Sequence, residues 1–191
     1  MRKAKVYLAL LHYPMNNKRM ETITTSITNL DLHDISRVAR TYNMDGFFVV
    51  HPSPSQHRLI QNILLYWQEG YGGSYNPDRK EAFSLLRAVY NLEEVLARIK
   101  DETGLYPETI ATDARVYPNS VSFLEMKNII GNSDKPYLIL FGTGWGMQKD
   151  LVESCSYILE PVQGGATYNH LSVRSAVSII IDRLLGENWF A

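Results

Sequence analysis

Three stretches near the end of the chain decide how it reads: Leu138-Ile-Leu-Phe-Gly-Thr-Gly-Trp-Gly-Met147, Ile158-Leu-Glu-Pro-Val162, and Tyr168-Asn-His-Leu-Ser-Val-Arg-Ser-Ala176. In the first, an apolar run gives way to glycines at alternate positions, the pattern of a buried strand that stops in a tight backbone loop. The second is a shorter apolar run ended by Glu160-Pro161. In the third, a polar turn opens a closing helix over 172–185, whose Val173, Ala176, Val177, Ile180, Ile181 and Leu184 share one face. The glycine loop is not a dinucleotide fingerprint, which needs Gly-x-Gly-x-x-Gly in the first βα unit. A Walker loop needs Gly-Lys-Ser/Thr, and that is missing here. An ordinary tight turn accounts for such a loop taken alone; three in this order point to a bound ligand.

Outward from this end, the same alternation of strand and helix runs through the chain. Residues 5–12 read as a strand apolar on both faces, as parallel sheets require, and 46–50 as a second buried strand; 82–90 contains a further strand candidate, and 107–112 and 136–141 read as strands. Between them the spacing predicts helices over 34–43 (with Asp31 or His33 as cap), from 53–55 to Gly70, over 92–103 behind Asn91, and over 121–130. Residues 20–30, rich in Ser and Thr, are expected to be irregular or weakly helical, and Tyr71-Gly-Gly-Ser-Tyr-Asn-Pro-Asp78 reads as a loop. The alternation argues for an α/β fold, a mainly parallel sheet flanked by helices. No repeat or linker interrupts it, so residues 1–191 are expected to form a single domain.

Composition narrows the function. With 45% hydrophobic and 20% charged residues the chain is ordinary for a globular protein, and no apolar run is long enough to span a bilayer. The basic start Met1-Arg-Lys-Ala-Lys5 imitates a signal peptide, but Tyr13, Pro14 and Asn16 follow without a small-residue cleavage site. A cytoplasmic protein is expected. One cysteine, Cys155, excludes an intrachain disulfide and reads as a small buried apolar residue. His12, His51 and His57 show no metal-ligand spacing, so no metal is implied. A formal net charge of −1 supplies no global field for nucleic acid, so an RNA partner requires a local basic patch.

The three C-terminal loops resemble the cofactor-binding end of the SPOUT RNA methyltransferases, whose chain threads through itself as a trefoil knot. Family members place a Gly-rich loop after a strand, an apolar-Pro loop after the next, and an Asn- or Ser-rich turn before the last helix. Here these are residues 141–147, 159–165 and 168–172. The resemblance implies a deep C-terminal knot over about 136–186 and a pocket for S-adenosyl-L-methionine. Its first wall would be Thr112, Phe141, Gly142, Thr143, Gly144, Trp145 and Gly146. Leu159, Glu160, Pro161, Val162 and Gly164 would follow, then Tyr168, Asn169, His170, Leu171 and Ser172. Trp145, Tyr168 and Trp189 read equally as core or interface aromatics. The resemblance also implies a homodimer paired through the knot face.

A second resemblance lies in Asp31-Leu-His-Asp-Ile-Ser-Arg-Val-Ala-Arg-Thr-Tyr-Asn-Met-Asp45. The ribose-methylating branch has an Asn-x-Gly turn, then a helix with an Arg, then an apolar-Asp pair. Arg37 falls at that arginine, while Asp31, His33, His170 and Arg174 stand where that branch has Asn, Gly, Asn and a small residue. These departures leave base methylation, as in the guanine-N1 branch, slightly favoured over ribose 2′-O-methylation, on tRNA ahead of rRNA. Arg37, Asp31 and His170 are the catalytic candidates, Asp34 a further proton acceptor. Arg37, Arg40 and Arg115 would face substrate, Arg115 because Thr112-Asp-Ala-Arg115 resembles a Thr-x-Ala-Arg turn in some relatives. Lys18 and Arg19 would extend that patch. Two rivals remain at this point: a binding module that keeps the pocket without chemistry, and a nucleotide-binding α/β protein of another family.

Overall fold

The computed structural model describes residues 3–166 and 168–187; Trp189 lies outside them. The chain opens with β1 (Val6–Leu11), a small hairpin of β2 (Met15–Asn16) and β3 (Thr22–Ile23), α1 (Asn29–Thr41) and β4 (Gly46–Val50). It continues through α2 (Pro54–Gln68), α3 (Tyr71–Tyr75), α4 (Pro77–Phe83), β5 (Leu86–Val89), α5 (Leu92–Thr103) and β6 (Glu108–Ala111). The last third holds β7 (Ser120–Val121), α6 (Phe123–Gly131), β8 (Tyr137–Gly142), α7 (Lys149–Glu153), β9 (Tyr157–Leu159) and α8 (Val173–Leu185).

Seven strands form one sheet in the order β5-β4-β1-β8-β6-β9-β7, every pair parallel. The expected α/β architecture is the one observed. The alternation of Cβ atoms along each strand divides the core in two. Val6, Leu8 and Leu10 of β1 join Ile139 and Phe141 of β8 beneath α1, α2, α6 and α8. Tyr7, Ala9 and Leu11 join Leu138 and Leu140 beneath α5 and α7. Each large aliphatic or Phe side chain among these, taken fully out of water, contributes about 1.5–3 kcal/mol, and β1 and β8 carry no charged residue.

Several local expectations need correcting. Residues 71–78 are not a loop: Asn76 accepts the Arg79 N–H at 2.9 Å and Pro77 takes the first helical position, so a cap signal starts α4 there. The helix expected at 34–43 begins earlier, at Asn29, with Thr28 as its cap rather than Asp31 or His33. That places Asp31 inside the first turn. The strand expected within 82–90 is β5, and the start of that stretch, Ala82 and Phe83, belongs to α4. Residues 120 and 121 form the short edge strand β7, and Ser122 caps α6. Asn91 caps α5 as the sequence predicts, and Ser172, expected as the first residue of the closing helix, is the cap of α8.

Since the sheet is parallel, the carboxyl ends of its strands share one edge. From β1 the chain steps to β4 on one side and reaches β6 on the other, with β8 set between β1 and β6. Open parallel sheets bind ligands at such a reversal of strand order. No helix among the described residues is long and apolar enough to cross a membrane.

Candidate functional site

The glycine loop leaves β8 at this edge and is laced to the chain that follows β1. Trp145 N–H donates to the Asn16 carbonyl at 3.1 Å and Asn16 N–H to the Gly146 carbonyl at 2.9 Å. The Asn16 side-chain amide, buried, donates to the Met147 carbonyl at 2.9 Å. Gly144 has φ +61° and Gly146 +91°, the left-handed region where a Cβ is disfavoured. At Gly144 space is short as well: a Cβ would sit 3.2 Å from the Asn16 carbonyl oxygen and 3.2 Å from Thr25 Cγ2.

A directed chain of hydrogen bonds runs beneath the loop. Thr143 Oγ1 donates to the Leu11 carbonyl at 3.0 Å, so its oxygen accepts the proton of Thr25 Oγ1. Thr25 Oγ1 in turn accepts from His12 Nδ1 at 2.9 Å. His12 is thereby fixed as the neutral Nδ1–H tautomer, and its Nε2 is buried without a partner. Burial, with the His51 ring 5.7 Å away, pushes this imidazole down to about 4.

Two further loops meet the glycine loop from the β6 and β9 side. Thr112 Oγ1 is tied back to the Leu140 carbonyl at 2.8 Å. Arg115 Nη2 donates to the Trp145 carbonyl at 3.2 Å. Asp113 holds that turn, taking the Arg115 N–H at 3.0 Å and the Tyr117 hydroxyl at 3.0 Å. The Asn169 amide reaches the Ala114 carbonyl at 3.1 Å and so draws the third loop in. Glu160 Oε1 accepts the Phe123 N–H at 2.7 Å, capping α6 with the carboxylate the sequence assigned to a ligand. Among the described residues the amides of Val162, Gln163, Gly164 and Gly165 make no hydrogen bond, and nothing stands within 4 Å of a Cβ built at Gly164 or Gly165. Unpaired, accessible main chain beside buried Leu159 and Pro161 is what an adenosyl ligand needs, since its base edge is read by backbone groups and its faces by apolar ones. Phe141 and Leu159 point into the core, so only their main chain is on offer.

Of the catalytic candidates, Asp31 sits where the start of α1 meets the start of α8, just past the third loop. Arg174 Nε lies 3.2 Å from Asp31 Oδ1 and its Nη1 3.1 Å from Asp34 Oδ2. Asp31 is 8% exposed and also accepts the Thr28 hydroxyl at 2.6 Å. Both proposed proton acceptors on α1 are therefore engaged by a cation that the sequence marked only as a departure from the family pattern. Arg37 is exposed and has no hydrogen bond or ion pair among the described residues. Arg40, three residues on, is taken up by a pair with Glu81 of α4, Nε to Oε1 at 2.7 Å. His170 is exposed, edge-on to Tyr168 at 5.5 Å. The structure joins Arg115 to the glycine loop and Asp31 to α8; it forms no bond between His170 and Arg37. Cys155 is half-buried rather than buried, its thiol on the Leu151 carbonyl at 3.3 Å. Sequence reasoning missed the bracing roles of His12, Asn16 and Thr25, for which no local spacing gives a signal. Two cavities of about 510 and 570 Å³ lie elsewhere, one against α6 beside Leu124, the other at the opposite sheet edge beside Asp45.

Comparison with known proteins adds to this geometry. A family model described as SAM-dependent RNA methyltransferase matches residues 5–186. An uncharacterized protein of Aquifex aeolicus (strain VF5) is 45% identical over 96% of this chain and 89% of its own. A tRNA (guanine-N(1)-)-methyltransferase of Oleidesulfovibrio alaskensis is 42% identical over 95% of the chain, which spans 42% of that relative's length. Among solved structures, a probable methyltransferase from Bordetella pertussis Tohama I matches with TM-score 0.63 at 15% identity, covering 95% of both chains. The A. aeolicus TrmH/SpoU tRNA modifying enzyme matches with TM-score 0.55 at 15% identity, over 97% of this chain and 75% of that one. At such identities these two show a shared fold.

Proposed function

The chain belongs to the SAM-dependent RNA methyltransferase family, and from that premise we propose that it transfers a methyl group from S-adenosyl-L-methionine to a base of tRNA, guanine N1 being the first atom to examine. The observation that carries the proposal is the convergence of residues 142–147, 160–166, 168–172 and 112–117 at one edge of the sheet, with main-chain amides unpaired among the described residues. The guanine assignment is supported by the name of the Oleidesulfovibrio relative, of which this chain spans 42%.

When bound, S-adenosyl-L-methionine supplies an electrophilic methyl on a sulfonium. The protein's share is positioning. The glycine loop and the amides of 162–165 hold the adenosyl portion, and Trp145 of that loop, 54% exposed, offers an apolar face beside it. Arg37 holds the acceptor nucleotide by a phosphate or a ring edge through its fork of donors. Among the described residues the carboxylates of Asp31 and Asp34 are held by Arg174, which orients them toward α8; the proton of the acceptor leaves to one of these or to His170. A ribose 2′-hydroxyl is the second acceptor to test, because Arg37 stands partnerless at the position the ribose branch uses. A homodimer, a cytoplasmic location and a threaded chain over 136–186 belong to the same proposal. The likeness of fold and the insertion of β8 between β1 and β6 support the last.

Calorimetric titration with S-adenosylmethionine and S-adenosylhomocysteine, against NAD and ATP, tests the pocket: selective binding of the adenosyl pair is expected, and a preference for NAD or ATP overturns it. Transfer of a labelled methyl to bulk tRNA, followed by nucleoside mass spectrometry, tests the reaction and names the atom. Arg37→Ala should abolish transfer and leave cofactor affinity unchanged; full activity in that variant would remove Arg37 from its role.

A further inference from the structure

Resting on the RNA substrate proposed above, we infer that the corner made by α2, α3 and α4 is a stacking platform for unpaired RNA bases, with Tyr71 and Tyr75 as the receiving rings. Tyr71 is 71% and Tyr75 75% exposed, and the two rings already stack on each other with centroids 6.0 Å apart and planes 27° from parallel. Tyr66, 49% exposed, borders them from α2. Contiguous aromatic faces left in water mark a recognition surface rather than a core.

The fold is shaped to present these rings. A Cβ on Gly72 would lie 2.4 Å from Tyr66 Cε1, and one on Gly73 2.3 Å from the Trp67 carbonyl oxygen. Two glycines thus let α3 lie flat on α2, and its larger side chains are turned outward.

Charge leads from the methyl-transfer site to this corner. Arg79 of α4 covers the Trp67 ring at 5.4 Å and donates to His33 Nδ1 on α1. Arg37 stands one helical turn beyond His33 on α1, on the same side of the helix. Burial lowers the His33 pKa, the charges of Arg79 and Arg37 lower it further, and Asp34 acts in the opposite sense. Arg37 has no partner among the described residues. On the other side of Asp34 stands Arg174, at the start of α8 and just past the third loop. Arg174 is taken up by Asp31 and Asp34, but Arg37 and Arg79 remain on this side, and Lys80 of α4 lies against α3 itself, its Cδ 3.1 Å from a Cβ built on Gly73 between the two tyrosines. That combination suits a single-stranded RNA segment: cations follow its phosphates, and bases of any identity stack on rings. It also supplies the local basic feature that a net charge of −1 conceals.

The test uses the full chain, a fluorescein-labelled single-stranded 20-mer of mixed RNA sequence, and fluorescence anisotropy. Tyr71→Ala/Tyr75→Ala is expected to weaken binding roughly tenfold or more. Tyr71→Phe/Tyr75→Phe is expected to retain it, because the rings remain. S-adenosylmethionine affinity should not move in either variant. Equal binding by wild type and the alanine variant overturns the platform alone, and the methyltransferase reading stands. Failure of the phenylalanine variant would show that hydroxyls rather than ring faces matter, and overturns it too. Failure of the wild type to bind the 20-mer while S-adenosylmethionine still binds overturns the platform together with an unpaired-RNA substrate. A change of oligomeric mass in the alanine variant, read by light scattering, overturns it in favour of a second copy of this chain.

Discussion

Replacing Gly144 with alanine perturbs the glycine loop at the point where it is most tightly held. Forcing a residue with a Cβ into φ +61° costs about 1–2 kcal/mol. Part of this, about 0.4–1 kcal/mol, is offset by the smaller entropy of the unfolded alanine chain. The new methyl also meets the Asn16 carbonyl at 3.2 Å. That oxygen accepts the Trp145 N–H at 3.1 Å, so it retreats only by weakening a bond worth about 0.5–1.5 kcal/mol. The net expectation is a loss of about 1–2.5 kcal/mol, or a fall in Tm of roughly 2–10 °C for a chain of this size. Gly104→Ala is the matched control: φ is +81°, but nothing lies within 4 Å, so only the backbone cost applies. Thermal unfolding of both variants and calorimetry with S-adenosylmethionine are the assays. If Gly144→Ala proves no less stable than Gly104→Ala and binds the cofactor as wild type does, the lacing of the loop to Asn16 is irrelevant and the reasoning fails.

Three other outcomes are expected. The buried His12 takes its proton at about 4 in the folded protein but near 6.5 when unfolded, so stability should fall as pH drops from 6.5 to about 4 and level off below, by at most ~3 kcal/mol. Urea titrations of wild type and His12→Asn across that range should show the stability difference between them changing by that amount; a constant difference would refute the assignment. Arg174→Met, which strips the buried Asp31 of its cation, should cost about 1–3 kcal/mol, and Asp31→Asn in the same chain should restore part of it, a coupling that a double-mutant cycle measures. Gly131→Ala, in a helix with open space around it, should raise stability by about 0.5–1 kcal/mol, whereas Gly73→Ala should lower it by about 1–3 kcal/mol and weaken RNA binding with it.

The strands and long helices were legible because their signals are local. Val6 to Leu11 and Tyr137 to Gly142 are apolar runs bounded by polar residues, and caps such as Asn91 and Ser172 stand beside the helices they start. The glycine loop was legible for the same reason. What stayed hidden depends on partners far away in sequence. Asn16 and Met147 are bonded across 131 positions, and Arg174 and Asp34 across 140, so no window of sequence contains both ends. Residues 71–75 misread for a different cause. Two glycines have poor helix propensity, yet only glycines fit against Trp67, so packing overrode the local preference. Glu160 was placed at the ligand because it follows a strand in the right order; that its carboxylate caps α6 depended on where Phe123 would lie.

The position of β8 bears on how the chain is made. It separates β1 from β6, and both of those strands precede it in synthesis. Until residues 137–142 leave the ribosome, roughly 6–25 s after β1 at ordinary elongation rates, the apolar β1 and the shorter β6 each have an edge whose native neighbour does not yet exist. The nascent chain is therefore a client for chaperones over that interval. Slowing translation between residues 112 and 136 should lower soluble yield more than the same pause placed after residue 142.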